Sequence, residues 1–322
     1  SAREVQVQTG ARLHFGLLAH GQPEARAFGG LGVMLEHPGF QLAVARADRD
    51  CLDCGVWASR VQGLLGRLRA VTPVGPLNVR IKASPPAHAG YGSGTQLGMA
   101  LALALARIAG EPALEAEELA RRSGRGLRSA LGLHGFLQGG LLVEAGHYRP
   151  GEISPLVAQL EFPAAWRFLL IRPRNSPGVS GAVEVAGFAR LPPMPVATTE
   201  RMCRLILMEI LPAVVEGNCS AAGRAIGEYG RLAGEYFAPL QGGVLADPQM
   251  RRLETELRAR GIEAYGQSSW GPTVFVLCAD EAMARSLQQE LSACHAAADC
   301  EFLIAAPLNR GARCLESPPA GA

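Results

Sequence analysis

The run Ala89-Gly90-Tyr91-Gly92-Ser93-Gly94-Thr95-Gln96 holds the clearest chemistry in this sequence. Glycine loses more backbone freedom on folding than any other residue. A cluster of three in five positions therefore marks left-handed backbone or a close approach. The stretch that follows, up to Gly110, is rich in Ala and Leu and is predicted to be a helix starting near Thr95. The first amides of a helix have no internal acceptor, and they sit at the positive end of its dipole. Loop and helix together predict a phosphate cradle, to which Ser93, Thr95 and Gln96 can add side-chain hydrogen bonds. No Gly-Lys-Ser/Thr closes the loop, so it is not a Walker A motif. No clean βαβ unit with a later ribose-binding acid surrounds it, so a dinucleotide fingerprint does not fit either. A tight strand–helix turn in an ordinary core would also use these glycines.

Positive charge gathers close behind, at Arg121, Arg122, Arg125 and Arg128. A solvated helix face would explain such a run as well as a binding site would. Arg125 and Arg128, at i and i+3, are expected to share one helical face. Over the whole chain of 322 residues the formal charge is only +2, which gives no long-range pull toward nucleic acid or membrane. No apolar run reaches the roughly 18 residues of a membrane span, and no signal peptide is visible. Cys51 and Cys54 form a C-x-x-C pair with no second pair at zinc spacing. Eight scattered cysteines in a chain this long fit reduced thiols in a cytoplasm.

The elements that must hold these residues alternate in type. Strands are predicted at residues 4–9, 40–47 and 77–83 by period-2 patterning. Phe28 to Gly32 reads as a glycine-rich turn region and Val56 to Ala70 as an amphipathic helix. Helix 115–123, a Gly-punctuated turn and helix over 125–140 and a strand at 141–144 follow. The second half reads as strand 167–171, helices 199–216 and 220–236, and a helix 248–261 capped by Asp247 with Pro at its first turn. Strands 263–267 and 273–278, helix 280–295 and strand 300–305 complete it. This order suggests an α+β fold. Gly and Pro are frequent over 148–163, which predicts a boundary there and two domains, 1–155 and 156–322.

Pro86-Ala87-His88-Ala89-Gly90-Tyr91-Gly92-Ser93 before an Ala-rich helix resembles the phosphate loop of the GHMP kinase superfamily. Gly94-Thr95-Gln96 in place of the kinases' Ser-Ala is similar to β-ribofuranosylaminobenzene 5′-phosphate synthases instead. Further blocks carry the same resemblance from end to end: Arg12-Leu13-His14-Phe15-Gly16-Leu17, Gly124-Arg125-Gly126-Leu127-Arg128-Ser129-Ala130, Gly135-Phe136 with Gly139-Gly140, Ser180-Gly181 with Glu184, Gly266 to Thr273, and Asn309-Arg310-Gly311. The fold implied is GHMP-kinase-like, with an N-terminal half like ribosomal protein S5 and a C-terminal ferredoxin-like α/β sandwich. Kinases of this fold place a catalytic Asp about seven residues before the Gly-Gly strand entry. Here that position is Gly132, and no carboxylate lies between Gly124 and Gly140.

The resemblance implies condensation of a para-substituted benzoate, 4-aminobenzoate or 4-hydroxybenzoate, with phosphoribosyl pyrophosphate. CO2 and pyrophosphate would be released, as the first committed step toward a tetrahydromethanopterin-type cofactor. Such chemistry implies Mg2+ on the pyrophosphate, small-molecule substrates only, and a homodimer. Arg12, Arg125, Arg128 and Arg310 become anion contacts. His14 and Arg26 become candidate catalytic groups, with His88 and His134 also in motifs. Glu184 or Glu36 could stabilise a cationic sugar carbon, although each also fits a structural acid. Gln267, Ser268, Ser269 and Trp270 would line an aromatic pocket, or form a hairpin turn whose Trp caps the core. Asn175 and Ser176, past a strand end, are further candidates. The rivals are an ATP-dependent small-molecule kinase of the superfamily and a non-catalytic phosphosugar-binding protein.

Overall fold

The computed structural model describes residues 4–23, 25–126, 128–175, 190–268 and 271–317. Among them, three sheets and the helices packed on them form an α+β fold. The first sheet has the order β13-β1-β4-β6-β5: β1 is Glu4–Gln8, β4 Gln41–Arg46, β5 Cys51–Asp53, β6 Leu77–Ala83 and β13 Arg313–Glu316. Val5, Val7, Leu42, Val44, Leu77 and Val79 alternate onto one face. There they bury against α1 (Ala58–Arg69) and α2 (Ser93–Ala109).

The second sheet runs β2-β3-β7-β8, with β2 Ala11–Ala19, β3 Phe28–Leu35, β7 Leu141–Glu144 and β8 Leu156–Leu160. Phe28 to Gly32, expected to be a turn, is thus part of a strand. Its glycines are there for close approach: a Cβ at Gly32 would lie 2.4 Å from the Leu13 carbonyl oxygen. The division at 155/156 passes between hydrogen-bonded partners, because β8 pairs with β7 of the first half. β13, from the far end of the chain, likewise returns to pair with β1.

The third sheet, β10-β11-β9-β12, is covered on both faces. Here β9 is Arg167–Pro173, β10 Tyr265–Gln267, β11 Val274–Cys278 and β12 Cys300–Ala305. Central strands buried on both sides read as continuous apolar runs, and β9 (RFLLIRP) and β11 (VFVLC) do so. Leu169, Ile171, Val274 and Val276 face α8 (Pro248–Ala259) and α9 (Glu281–Ser292). Asp247 caps α8, its Oδ1 accepting from the Gln249 and Met250 amides at 2.7 and 3.3 Å.

Phe168, Leu170, Phe275 and Leu277 point the other way, into the core that joins the halves. That core also takes Leu13, Phe15 and Leu17 of β2 and the helices α5 (Val196–Leu205), α6 (Leu211–Val215) and α7 (Cys219–Gln241). A π-helical segment, Ile206–Ile210, links α5 to α6. Phe15, Phe168 and Phe275 meet with ring centroids 4.9–6.3 Å apart. Removing a fully buried Phe ring leaves a cavity costing about 3–5 kcal/mol. Phe275→Ala is therefore expected to lower unfolding free energy by that amount, read from the midpoint of urea denaturation.

Candidate active site

Gly92 is the N-cap of α2, which starts at Ser93. It has no side chain with which to cap, and its φ of 66° lies where glycine is favoured. The Thr95 amide donates to Gly92 O at 3.0 Å, so the Ser93 and Gly94 amides of the first turn are left for an external acceptor. The loop before the helix is held by its carbonyls. Thr273 Oγ1 donates to Ala89 O at 2.6 Å, Ser268 Oγ donates to Gly90 O at 2.7 Å, and the Arg12 amide donates to Tyr91 O at 3.0 Å. Gly90 (φ 89°) and Gly271 meet backbone to backbone, and a Cβ on Gly271 would sit 2.4 Å from Gly90 N.

These contacts open a cavity of about 930 Å³ beside the loop. Its wall includes Gly90, Gly92, Ser93, Gly94 and Thr95, and five arginines: Arg12, Arg60, Arg67, Arg125 and Arg128. His14, His88, Gln267 and Ser129 also face it, whereas no Asp or Glu does among the described residues. A Cβ on Gly94 would lie 2.8 Å from an Arg125 guanidinium nitrogen and 3.2 Å from one of Arg60. A Cβ on Gly92 would lie 3.1 Å from Arg12 Nε. Three guanidiniums therefore crowd the N-terminus of α2.

Several expectations need correction. Arg125 and Arg128 share no helical face, because α3 (Ala116–Ser123) ends before them and α4 (Leu131–Gln138) begins after. Loop backbone with left-handed Gly124 and Gly126 carries Arg125 to the cavity instead. Arg121 and Arg122 are structural, paired with Glu118, and Arg122 also with Glu111. Gln96 is buried and donates to the Gly132 carbonyl at 2.9 Å, so it supports α4 rather than lining the cavity. Ser268 is fully buried and acts as the loop's latch. Arg26 donates to Gly146 O and lies over the Tyr148 ring, away from the cavity wall. Arg310 is exposed beside Gly139, where a Cβ would come within 2.4 Å of its backbone. Asn309 brackets the Phe162 backbone, His134 bonds the Ser154 carbonyl, and Glu36 and Asn175 are exposed outside the cavity wall. Glu184, Ser176, Ser269 and Trp270 lie outside the described residues.

Sequence reasoning missed Arg60 and Arg67, whose spacing looked like the solvated side of an amphipathic helix. It also missed Glu144, buried off the cavity wall, whose carboxylate accepts from Ser129 Oγ at 2.6 Å and the Ala130 amide at 2.7 Å. Burial pushes the Glu144 pKa up.

His14 shows what kind of group the site offers. β2 bulges between His14 and Gly16, and the Gly16 amide donates to His14 Nδ1 at 3.1 Å. Nδ1 is thus an acceptor, and the neutral ring carries its proton on Nε2. Burial first, then the charge of Arg12, holds its pKa well below the ordinary imidazole range. The ring is a neutral donor. Gly132, seven residues before Gly139, packs on Thr95, where a Cβ would be 3.1 Å from Thr95 Cγ2.

Residues 59–137 match the GHMP kinases N terminal domain. The fold superposes on homoserine kinase from Cytophaga hutchinsonii with a TM-score of 0.67 over 97% of both chains, at 15% identity. Architecture and phosphate loop together define a protein of the GHMP kinase fold. Within it, β-ribofuranosylphenol 5′-phosphate synthase from Methanothermobacter thermautotrophicus is 31% identical over 298 residues, 84% of this chain and 88% of the relative. Its namesake from Methanocaldococcus jannaschii is 28% identical over 299 residues, with the same shares. The chain belongs to the β-ribofuranosylphenol 5′-phosphate synthase family.

Two outcomes are expected of the site's scaffold. Ser268→Ala strands the buried Gly90 carbonyl and His14 amide, at a cost of about 1–3 kcal/mol in urea unfolding. For His14, the folded pKa is depressed, so the unfolded state binds protons more readily. Stability is then full above the ordinary pKa of about 6.5 and falls as pH drops below it. His14→Asn keeps an acceptor for the Gly16 amide but cannot titrate, and is expected to flatten that fall in melts between about pH 5 and 7.

Proposed function

We propose that this chain joins the ribose of phosphoribosyl pyrophosphate to the carboxyl-bearing ring carbon of a para-substituted benzoate, 4-hydroxybenzoate or 4-aminobenzoate, and releases CO2 and pyrophosphate. It is a pentosyl transfer with coupled decarboxylation, and the cofactor precursor it forms is an aryl ribofuranoside 5′-phosphate. One observation carries the reading: a cavity at the start of α2 with five arginines on its wall and no carboxylate there among the described residues. The site can hold a polyanion and offers no acidic side chain as general base.

The proposed reaction needs none. The C1–O bond breaks and its electron pair leaves with pyrophosphate. A ring π pair then forms the C1–C bond at the carbon bearing the carboxylate. Finally the C–CO2 bond breaks, and its pair restores the aromatic ring. Where ordinary ring substitution would lose a proton, this one loses CO2. The arginines and α2 amides favour the departing charge, and the walls hold the two reactants together. The neutral His14 Nε2–H can donate to a substrate oxygen without taking a proton.

A kinase would need a base to deprotonate its alcohol substrate, and Gly132 offers none. The described residues contain no group of three His, Cys, Asp or Glu able to hold a metal. They do not fit a protein-ligated Mg2+; the ion would come as the counter-ion of the diphosphate. The homodimer and cytoplasmic setting implied by the family are part of the proposal. Exposed Leu207, Met208 and Val215 on the segment 206–215 offer one apolar surface for a second copy. No described helix is long and apolar enough to cross a membrane.

The test is stoichiometric. With Mg2+, phosphoribosyl pyrophosphate and either carboxyl-labelled benzoate, labelled CO2 and pyrophosphate are expected in equal amounts without ATP. Silence with both acids sinks the reading. Arg125→Ala is expected to raise KM for phosphoribosyl pyrophosphate about 10–100-fold, the worth of a charge-assisted hydrogen bond, and unchanged kinetics would remove Arg125 from the site.

A further inference from the structure

The cavity wall differs in character from element to element. On one part α7 supplies Ala233, Gly234 and Phe237, close to Gly16 of β2, where a Cβ would touch Ala233 at 2.4 Å. On another part α1 supplies Arg60 and Arg67, Arg60 approaching Gly94 at the start of α2. The two arginines are seven residues apart, two turns of helix, and so on one face. Gly63 lies between them in sequence and on the same wall, with nothing within 4 Å of where its Cβ would be.

The rest of α1 shows that this face is unusual. Arg69 makes a two-pronged pair with Asp50, at 2.8 and 2.7 Å. Among the described residues, Arg60, Arg67 and Arg125 pair with no carboxylate. Arg60 and Arg125 nevertheless approach the same point above Gly94. Bringing like charges together costs energy unless an anion joins them.

We infer that Arg60 and Arg67 of α1, together with Arg125, form the subsite for the diphosphate leaving group, separate from the contacts of the 5′-phosphate. This rests on the synthase reading above. In that reaction the α-configured diphosphate is replaced by a β-linked aryl group, so the ring approaches C1 from the face opposite the leaving group. The flat, apolar reactant belongs beside α7. The leaving group must then lie on the far side of C1, beside α1, where these arginines stand. The ribose spans the Gly90–Ser93 stretch.

The experiment compares Arg60→Gln, Arg67→Gln and the double variant with the unaltered protein. Calorimetric titration measures the binding of magnesium pyrophosphate and of ribose 5-phosphate separately. Arg69→Gln, on the Asp50-paired side of α1, is the control and is expected to match the unaltered protein. Pyrophosphate binding is expected to weaken roughly tenfold for each cavity arginine removed, while ribose 5-phosphate affinity stays within about twofold. Unchanged pyrophosphate binding in the double variant overturns the subsite. Weakened ribose 5-phosphate binding with pyrophosphate unaffected overturns the orientation. An unaltered protein that binds neither ligand instead refutes the synthase reading on which the inference stands.

Discussion

Three carbonyls decide the character of this protein. Ala89, Gly90 and Tyr91 present their C=O groups to Thr273, Ser268 and the β2 backbone. With two of these carbonyls satisfied by the second half of the chain and the third by β2, the Ser93 and Gly94 amides are left beside the cavity at the start of α2. The latch joins distant parts of the chain: its donors are Ser268, Thr273 and Arg12 of β2, and its acceptors come from the loop between β6 and α2. It also fixes glycine at both Gly90 and Gly271, since neither backbone could approach past a methyl group. A loop so constrained leaves little ordering to be done when a ligand binds beside it.

The electrostatics of the cavity follow from what is missing as much as from what is present. Arginines elsewhere on the surface pair with glutamates along their own helices, as Arg231 with Glu235 and Arg260 with Glu256 do. On the cavity wall Arg60, Arg67 and Arg125 pair with no carboxylate among the described residues. The fold is shared with homoserine kinase, and the stretch from Gly124 to Gly140 holds no carboxylate. Such a site suits a reaction whose electron pairs move between carbon, oxygen and phosphate without proton transfer to the protein. The neutral His14, fixed in one tautomer by the Gly16 amide, is consistent with that economy.

Much of this was legible in the residues. β6 and β12 fall where the alternation put them, and Asp247 caps α8 through its side chain. The constrained loop before α2 was visible because clustered glycines mark left-handed backbone or close approach, and Gly90 and Gly92 show both. β2 and β3 were not seen as strands over their length, because Gly16, Gly29, Gly30 and Gly32 depress every local strand signal. Those glycines answer to long-range contacts that no window of sequence contains. Arg60 and Arg67 escaped for the opposite reason. A charged face on an amphipathic helix normally meets water, and only the packed structure shows that this one meets an α2 N-terminus. The boundary at 155/156 falls between the paired strands β7 and β8, because Gly and Pro frequency reports chain flexibility and carries no information on strand pairing.

The return of β13 to the edge of β1 carries a consequence for biosynthesis. The first half of the chain emerges from the ribosome long before Arg313–Glu316 and can pack α1 and α2 onto its sheet at once. Its β1 edge nevertheless stays open until the last strand is made, and an open edge invites pairing with other chains. Translation of the second half is therefore the window in which the nascent protein is most exposed to misassembly.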